Sequence, residues 1–258
     1  MASQTHPNPP LAMSGIELLT SATPNGQKIS IFLEELGIPY KTTPINLGAD
    51  EQKSASFLSK NPNGRIPAIV DHSRNDFAVF ESGAILLYLV EHYDKEKRFS
   101  FDDADETSEM IQWLFFQNTG IGPMQGQANH FHRYAPTKIQ YGIDRYQNEC
   151  RRLYSVLESR LSDRDFLAGK APGKYSIADI STFTWVRWAA WAGIDLSKFP
   201  KLESWMQGVE ERGAVQRGLL VPDGEDQIVR LRRDPDVEDP FKGWVMKGQD
   251  ELKGKHGN

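Results

Sequence analysis

The sequence predicts two domains of different class, an α/β domain of element order β-α-β-α-β-β-α followed by an all-helical domain. Three observations predict this. Up to about Tyr93, short apolar runs bounded by Gly, Pro and Asn alternate with stretches of helical spacing. The charged, unpatterned stretch KEKRFSFDD at 95–103 then interrupts the pattern. From Ala104 onward, apolar residues recur at steps of three and four almost throughout. The expected boundaries are 15–94 and 104–221, with 1–14 and 222–258 as extensions, and 258 residues are ample for two ordinary domains.

Within the first domain, Ile16–Leu19 is a short apolar strand running into the turn-rich stretch Thr20–Gly26. A helix is expected from about Gln27 to Leu36, with Ile29, Phe32, Leu33 and Leu36 on one face. Gly37 stops it and Pro39 prevents its resumption. A second strand is expected over Tyr40–Leu47, and Gly48-Ala49-Asp50 opens a polar loop and a short helix through Ser59. The turn Asn61–Gly64 feeds a third strand, Ile66–Val70. Proline cannot donate to a ladder, so Pro67 belongs at a sheet edge or strand start, where a cis bond is one of the open conformations. After the Ser73–Asp76 turn come a fourth strand, Phe77–Phe80, and a helix opening at Glu81-Ser82-Gly83, with Ser82 as its expected cap. With strands three and four forming a hairpin, this order is thioredoxin-like.

In the second domain, Glu106–Asn118 carries Met110, Trp113, Leu114, Phe115 and Phe116, and Gly120, Gly122 and Pro123 predict a kink or break. A loop is expected over Ala128–Ala135, with Pro136 in the first turn of a long helix. That helix carries an apolar stripe of Ile139, Ile143, Tyr146, Cys150, Leu153, Leu157 and Leu161. Ser176-Ile-Ala-Asp179 spells a capping box, with Tyr175 and Ile180 placed as a staple, and starts a helix expected over Ile177–Trp191. A last helix is expected over Leu202–Glu211. Beyond Pro222 the chain is charged and broken, with Phe241, Trp244, Val245 and Met246 as its only apolar anchors.

Composition narrows the function classes. A 39% hydrophobic and 25% charged chain is that of a soluble globular protein. A net charge of −5 argues against a nucleic-acid partner, which would want a basic face. One cysteine excludes an internal disulfide and a Cys-x-x-Cys redox pair. No segment approaches the roughly 18 apolar residues of a membrane-spanning helix. Residues 1–14 lack the charged start and apolar stretch of a secretory signal and are expected to be a disordered lead, so no membrane association and a cytoplasmic home are expected.

The segment 61–93 carries the functional expectation. Beside Pro67, the main chain at Ile66 offers an edge on which an extended peptide could add a short strand. Next to it, a helix start at Ser82 favours a carboxylate, and Glu81 is able to hold an ammonium group. A small peptide with an amino-acid-like head satisfies all three; an ordinary strand–turn–strand–helix is the alternative. The loop before the first helix holds donor side chains at Thr23 and Asn25, placed to stabilise a thiolate, or is simply a turn. Cys150, on an apolar stripe, suits a buried hydrophobe better than a nucleophile. His130 and His132 lack a third ligand nearby, so no metal site is expected. They are instead expected with Phe116, Phe131, Tyr134 and Trp188 in the wall of an apolar pocket.

The wording NPNGRIPAIVDH…FESGAILLYL, with TPNGQKISIFLEE, WLFFQ…GPMQGQ and the IDRYQ and YSIADI regions, resembles the cytosolic glutathione transferases. It is most similar to the bacterial Nu class and to the transferase-like domain of the yeast nitrogen-catabolite regulator, over roughly 15–218. The resemblance implies a thioredoxin-like domain that binds glutathione as co-substrate, an all-helical domain for the second substrate, and a homodimer. It implies Asn25 as the sulfur-binding residue with Thr23 assisting, and Ser21 as a weaker candidate, since some classes place a catalytic serine in this loop. For the peptide it implies Gln52, Arg65, Ile66, Pro67, Glu81, Ser82 and Arg145. The activity implied is glutathione attack on an electrophilic small molecule, or on a disulfide or peroxide. A sulfur-installing biosynthetic transferase and a glutathione-binding regulator without turnover remain the alternatives.

Overall fold

A computed structural model of the chain describes residues 15–233 and 242–247. The expected disordered lead at 1–14 and the anchor Phe241 lie outside the described residues. The first domain is built from β1 (Ile16–Thr20), α1 (Pro24–Leu36), β2 (Tyr40–Pro44), α2 (Ala55–Leu58), β3 (Ala68–Asp71), β4 (Phe77–Phe80) and α3 (Ser82–Tyr93). The strands make one sheet of order β2-β1-β3-β4. β1 pairs parallel with β2 and antiparallel with β3, and β3 and β4 form the expected hairpin. This is the thioredoxin-like arrangement that the element order predicts.

β2 ends at Pro44 rather than Leu47, and three further boundaries in this domain differ from the expectation for local reasons. α1 begins at Pro24 rather than Gln27, because Thr23 caps it: Thr23 Oγ1 accepts from the Gly26 N–H at 3.2 Å. Only glycine fits at position 26 in this first turn, because a Cβ there would collide with the Ser21 carbonyl and the Thr20 hydroxyl. β3 begins after the cis Ile66-Pro67 bond, so Ile66 stands just outside the ladder. The residue before α3 is Glu81, not Ser82, and Ser82 is the first helical residue, its hydroxyl accepting from Lys28 Nζ.

The second domain comprises α4 (Ala104–Phe115), α5 (Gly122–Asn129), α6 (Gln140–Arg160), α7 (Ile177–Val186), α8 (Pro200–Glu210), α9 (Gly213–Leu219) and α10 (Gln227–Arg233). The expected break at Gly120–Pro123 is instead a widened π-helical stretch, Phe116–Ile121, that carries α4 directly into α5. The expected Ala128–Ala135 loop is the end of α5 plus a second π-helical stretch, His130–Tyr134. Widened turns of this kind re-aim side chains and occur frequently at functional sites. α6 begins at Gln140, after Pro136, and its stripe is buried at Ile143, Cys150, Leu153, Leu157 and Leu161, while Tyr146 is half-buried and Ile139 is exposed.

The capping box forms. The Ser176 hydroxyl accepts from the Ala178 N–H at 3.3 Å, and Asp179 accepts from the Ser176 N–H at 3.0 Å. α7 ends at Val186 rather than Trp191, and a short 3-10 turn follows at Ala189–Ala192. One large core runs from the sheet through α1 into α6, α7 and α8. α1 packs on α3, α7 and α9, so the first helix of the α/β domain is also the floor of the helical one. Two ties fix that junction: Arg212 grips Glu35 at 2.6 and 2.9 Å, and Ser30 donates to the Gly218 carbonyl at 2.7 Å.

Candidate functional site

A cavity of about 1010 Å³ opens where the N-terminal ends of α1 and α3 face the α5 segment. On the α/β side it is lined by Thr23, Asn25, Gln52, Arg65, Ile66, Pro67, Glu81 and Ser82. The helical side contributes Pro123, Gly126, Gln127, His130, Phe131, Tyr134 and Trp185. Besides His132, four residues expected at the site are not brought to this cavity. Ser21 stays at the end of β1, where its carbonyl accepts from Thr23 N–H and the Thr20 hydroxyl. Phe116 packs edge-on against Trp113 within the π-helical stretch. Arg145 is exposed on α6. Trp188 falls beyond the end of α7 and is buried edge-on against Trp191.

On one side of the cavity, Asn25 sits in the first turn of α1, where main-chain N–H groups lack helical partners and the dipole is positive. Its Oδ1 accepts the indole N–H of Trp185 at 2.9 Å. An amide has one acceptor oxygen and one donor NH2. With the oxygen taken by Trp185, the NH2 is the end left to donate into the cavity. The Thr23 oxygen is engaged in capping α1, which leaves its hydroxyl proton as a donor.

At the start of α3, Glu81 has φ 69°, a conformation that costs a residue with a side chain roughly 1–3 kcal/mol and clusters at functional sites. Gln52 is buried, with Nε2 reaching Asp50 Oδ1 at 3.4 Å and Oε1 left without a partner among the described residues. Behind Ser82, Lys28 is buried and donates to its hydroxyl at 3.1 Å and to Asn118 Oδ1 at 2.9 Å. Burial pushes the Lys28 ammonium down to about 7, against the opposing charge of Glu81.

Some of the wall was missed by sequence reasoning. Trp185 was overlooked in favour of Trp188, because the helix was expected to run on to Trp191. A helical turn at 242–247 returns to the cavity, where Trp244 and Val245 join the lining. The Arg65 guanidinium lies 5.4 Å from the Trp244 ring, and Lys247 pairs with Asp50. The apolar residues of the tail were its only available sign. His130 and His132 do not act together: His130 lines the cavity and His132 packs near Gly193. Burial and then the nearby Arg133 and Lys138 lower the His132 pKa. Among the described residues no group of three or more His, Cys, Asp or Glu could hold a metal ion. Cys150 lies outside the lining, and burial pushes its thiol up to about 12.

Comparison with known proteins accounts for this geometry. Residues 15–91 match the family model "Glutathione S-transferase, N-terminal domain" and 129–213 match "Glutathione S-transferase, C-terminal domain". The disulfide-bond oxidoreductase YfcG of Escherichia coli is 44% identical over 211 residues, covering 80% of this chain and 94% of the relative. A glutathione transferase homolog from Lodderomyces elongisporus, solved with two GSH per subunit, superposes with a TM-score of 0.77. It is 39% identical, over 81% of this chain and 100% of that one. The glutathione transferase URE2P6 from Phanerochaete chrysosporium, solved with oxidized glutathione, gives a TM-score of 0.75 at 40% identity, over 80% of this chain and 94% of that one. The chain belongs to the glutathione S-transferase family.

Proposed function

We propose that this protein is a glutathione-dependent enzyme that activates the thiol of glutathione, its co-substrate, and directs it at a disulfide. The observation that carries the reading is the single cavity that gathers Asn25, the Ile66-Pro67 edge and the Glu81-Ser82 pair. Glutathione lies along that edge, its ammonium on Glu81, its adjacent carboxylate on Ser82 and the α3 start, and its sulfur at Asn25 and Thr23. Gln52 and Arg65 hold the rest of the peptide.

A free thiol of pKa about 8.5 is only a few per cent ionised at neutral pH. Lowering it by about two units asks roughly 2.7 kcal/mol of preference for the thiolate. The Asn25 amide and the α1 dipole are suited to supply that. The thiolate attacks one sulfur of the disulfide. A new S–S bond forms as the old one breaks, and the leaving thiolate takes a proton from water. A second glutathione thiolate resolves the mixed disulfide, so two glutathiones are oxidised to their disulfide as the substrate is reduced to two thiols. The protein's own cysteine is outside the cavity and poorly ionised, so both electrons come from glutathione.

The cavity, at the upper end of the roughly 300–1,000 Å³ of small-molecule sites, leaves room beside one tripeptide for the second partner. The name of the Escherichia coli relative, a disulfide-bond oxidoreductase, favours disulfide reduction over attack on an electrophilic carbon. We place the enzyme in the cytoplasm, where glutathione is kept reduced. We further propose a homodimer. Phe77, 55% exposed and stacked on Tyr88, edges a second cavity of about 600 Å³ suited to an aromatic side chain of a second copy.

Turnover of a glutathione-reducible disulfide and of a model electrophile, measured side by side, tests the activity. The disulfide should be the faster substrate. Glu81→Ala should weaken glutathione binding by about 2 kcal/mol or more, since the ligand ammonium loses its partner. Glutathione binding without turnover of either compound would favour a regulator over an enzyme.

A further inference from the structure

Lys28 is a buried cation that thiol activation does not use. It is 1% exposed, and among the described residues no carboxylate forms an ion pair with it. Its hydrogen bonds go to two neutral groups, Ser82 Oγ on α3 and Asn118 Oδ1 in the π-helical stretch after α4. A buried ammonium is costly unless something compensates it. The charge acting on it is Glu81. The charged groups of the other elements packed on α1 are committed elsewhere: Asp179 of α7 to its cap and Trp205, Arg217 of α9 to Glu34, Glu17 of β1 to Lys41, Thr43 and His72. Among the described residues, therefore, no anion is paired directly with Lys28, and Glu81 acts on it without an ion pair.

Hydroxyl chemistry says where a compensating anion belongs. A serine has one proton to donate and two lone pairs. While Lys28 is an ammonium it donates to Ser82 Oγ, so the Ser82 proton is free to point to an acceptor in the cavity. A neutral amine in the same place could accept that proton instead and withdraw the donor. Asn118 holds the arrangement in register. Its amide stands so close to the first turn of α3 that a Cβ at Gly83 would collide with Nδ2.

We propose that Lys28 is the positioning residue for the carboxylate of the bound peptide, holding Ser82 as a donor and supplying the positive charge behind the start of α3. The inference rests on the cavity being a glutathione site. Peptide binding draws Lys28 to its charged form, so above neutral pH the complex takes up a proton. The depressed pKa of Lys28 agrees with this, because the group is then partly neutral in the empty protein.

Calorimetry with S-methylglutathione, which has no free thiol to ionise, tests this near pH 8 in buffers of different ionisation enthalpy. Wild type should take up a proton on binding. Lys28→Met should bind about ten- to a hundredfold more weakly and take up none. Lys28→Arg, charged at every pH used, should recover part of the affinity without proton uptake. Asn118→Asp should hold Lys28 charged at every pH used and abolish the uptake. Wild-type affinity or persistent proton uptake in folded Lys28→Met would overturn the inference. Should that variant not fold, unchanged uptake in Asn118→Asp would overturn it instead. A wild-type protein that binds no S-methylglutathione would overturn the glutathione reading itself, a result distinct from either.

Discussion

The indole N–H of Trp185 donates to Asn25 Oδ1 at 2.9 Å, so a side chain of the helical domain sets the orientation of an amide in the α/β domain. The two residues lie 160 positions apart in sequence and meet on the wall of one cavity. In the proposed mechanism Trp185 thereby acts on the thiol without touching it. Trp185→Phe should keep the ring's packing but release the Asn25 amide to flip. The pKa of bound glutathione should then rise by a few tenths of a unit to about one unit, as expected for a neutral hydrogen bond lost. Asn25→Ala combined with Trp185→Phe should shift it no further than Asn25→Ala alone. Additive shifts, read from thiolate absorbance, would mean that Trp185 acts by another route.

Cys150 is buried on α6, and burial holds its thiol at about 12. Cys150→Ser should leave glutathione-dependent turnover within about twofold of wild type and lower stability by about 1–2 kcal/mol, because a hydroxyl is poorly served there. Denaturant unfolding and steady-state rates check the two halves. Abolished turnover in a folded variant would move the chemistry from the α1 loop to the helical domain.

Glu17 on β1 supplies a pH signature of the fold. Burial pushes its carboxyl up, but hydrogen bonds from Thr43 at 2.5 Å, Lys41 at 3.0 Å and His72 at 3.1 Å hold it down to about 2. Because the folded pKa lies below the ordinary 4.5, its stabilisation is present above about 4.5 and is lost as pH falls from there towards about 2. Glu17→Gln should cost about 2 kcal/mol at neutral pH, and the gap to wild type should close through that window. Parallel unfolding curves with a constant gap would show that the carboxylate is not bonded in this way.

Much of this molecule was legible in its sequence, and the part that was not has physical reasons. The strand–helix alternation, the hairpin and the capping box follow from local chemistry, and local chemistry survives folding. The Gly120–Pro123 stretch looked like a break because glycine and proline weaken an α-helix, but a widened π-turn absorbs both. Thr23 looked like a free donor because nothing in its neighbours announces that Pro24 opens a helix in place of a turn. Lys28 was invisible as a site residue, since a lysine in an amphipathic helix is ordinarily solvated and only packing from α3 and the α4–α5 junction buries it. Trp185 and Trp244 reach the cavity through long-range packing that no spacing encodes.

The most direct measurement is the ultraviolet thiolate absorbance of the glutathione complex, titrated from pH 5 to 9 in wild type, Asn25→Ala, Thr23→Ala and Ser21→Ala. Asn25 stands in the cavity at the start of α1, and a hydrogen bond to a charged group contributes about 1.5–3 kcal/mol. The wild-type midpoint should lie well below that of free glutathione. Asn25→Ala should raise it by about one to two units, Thr23→Ala less, and Ser21→Ala not at all. A wild-type midpoint equal to that of the free thiol, or a larger shift from Ser21→Ala than from Asn25→Ala, would contradict thiol activation at this site.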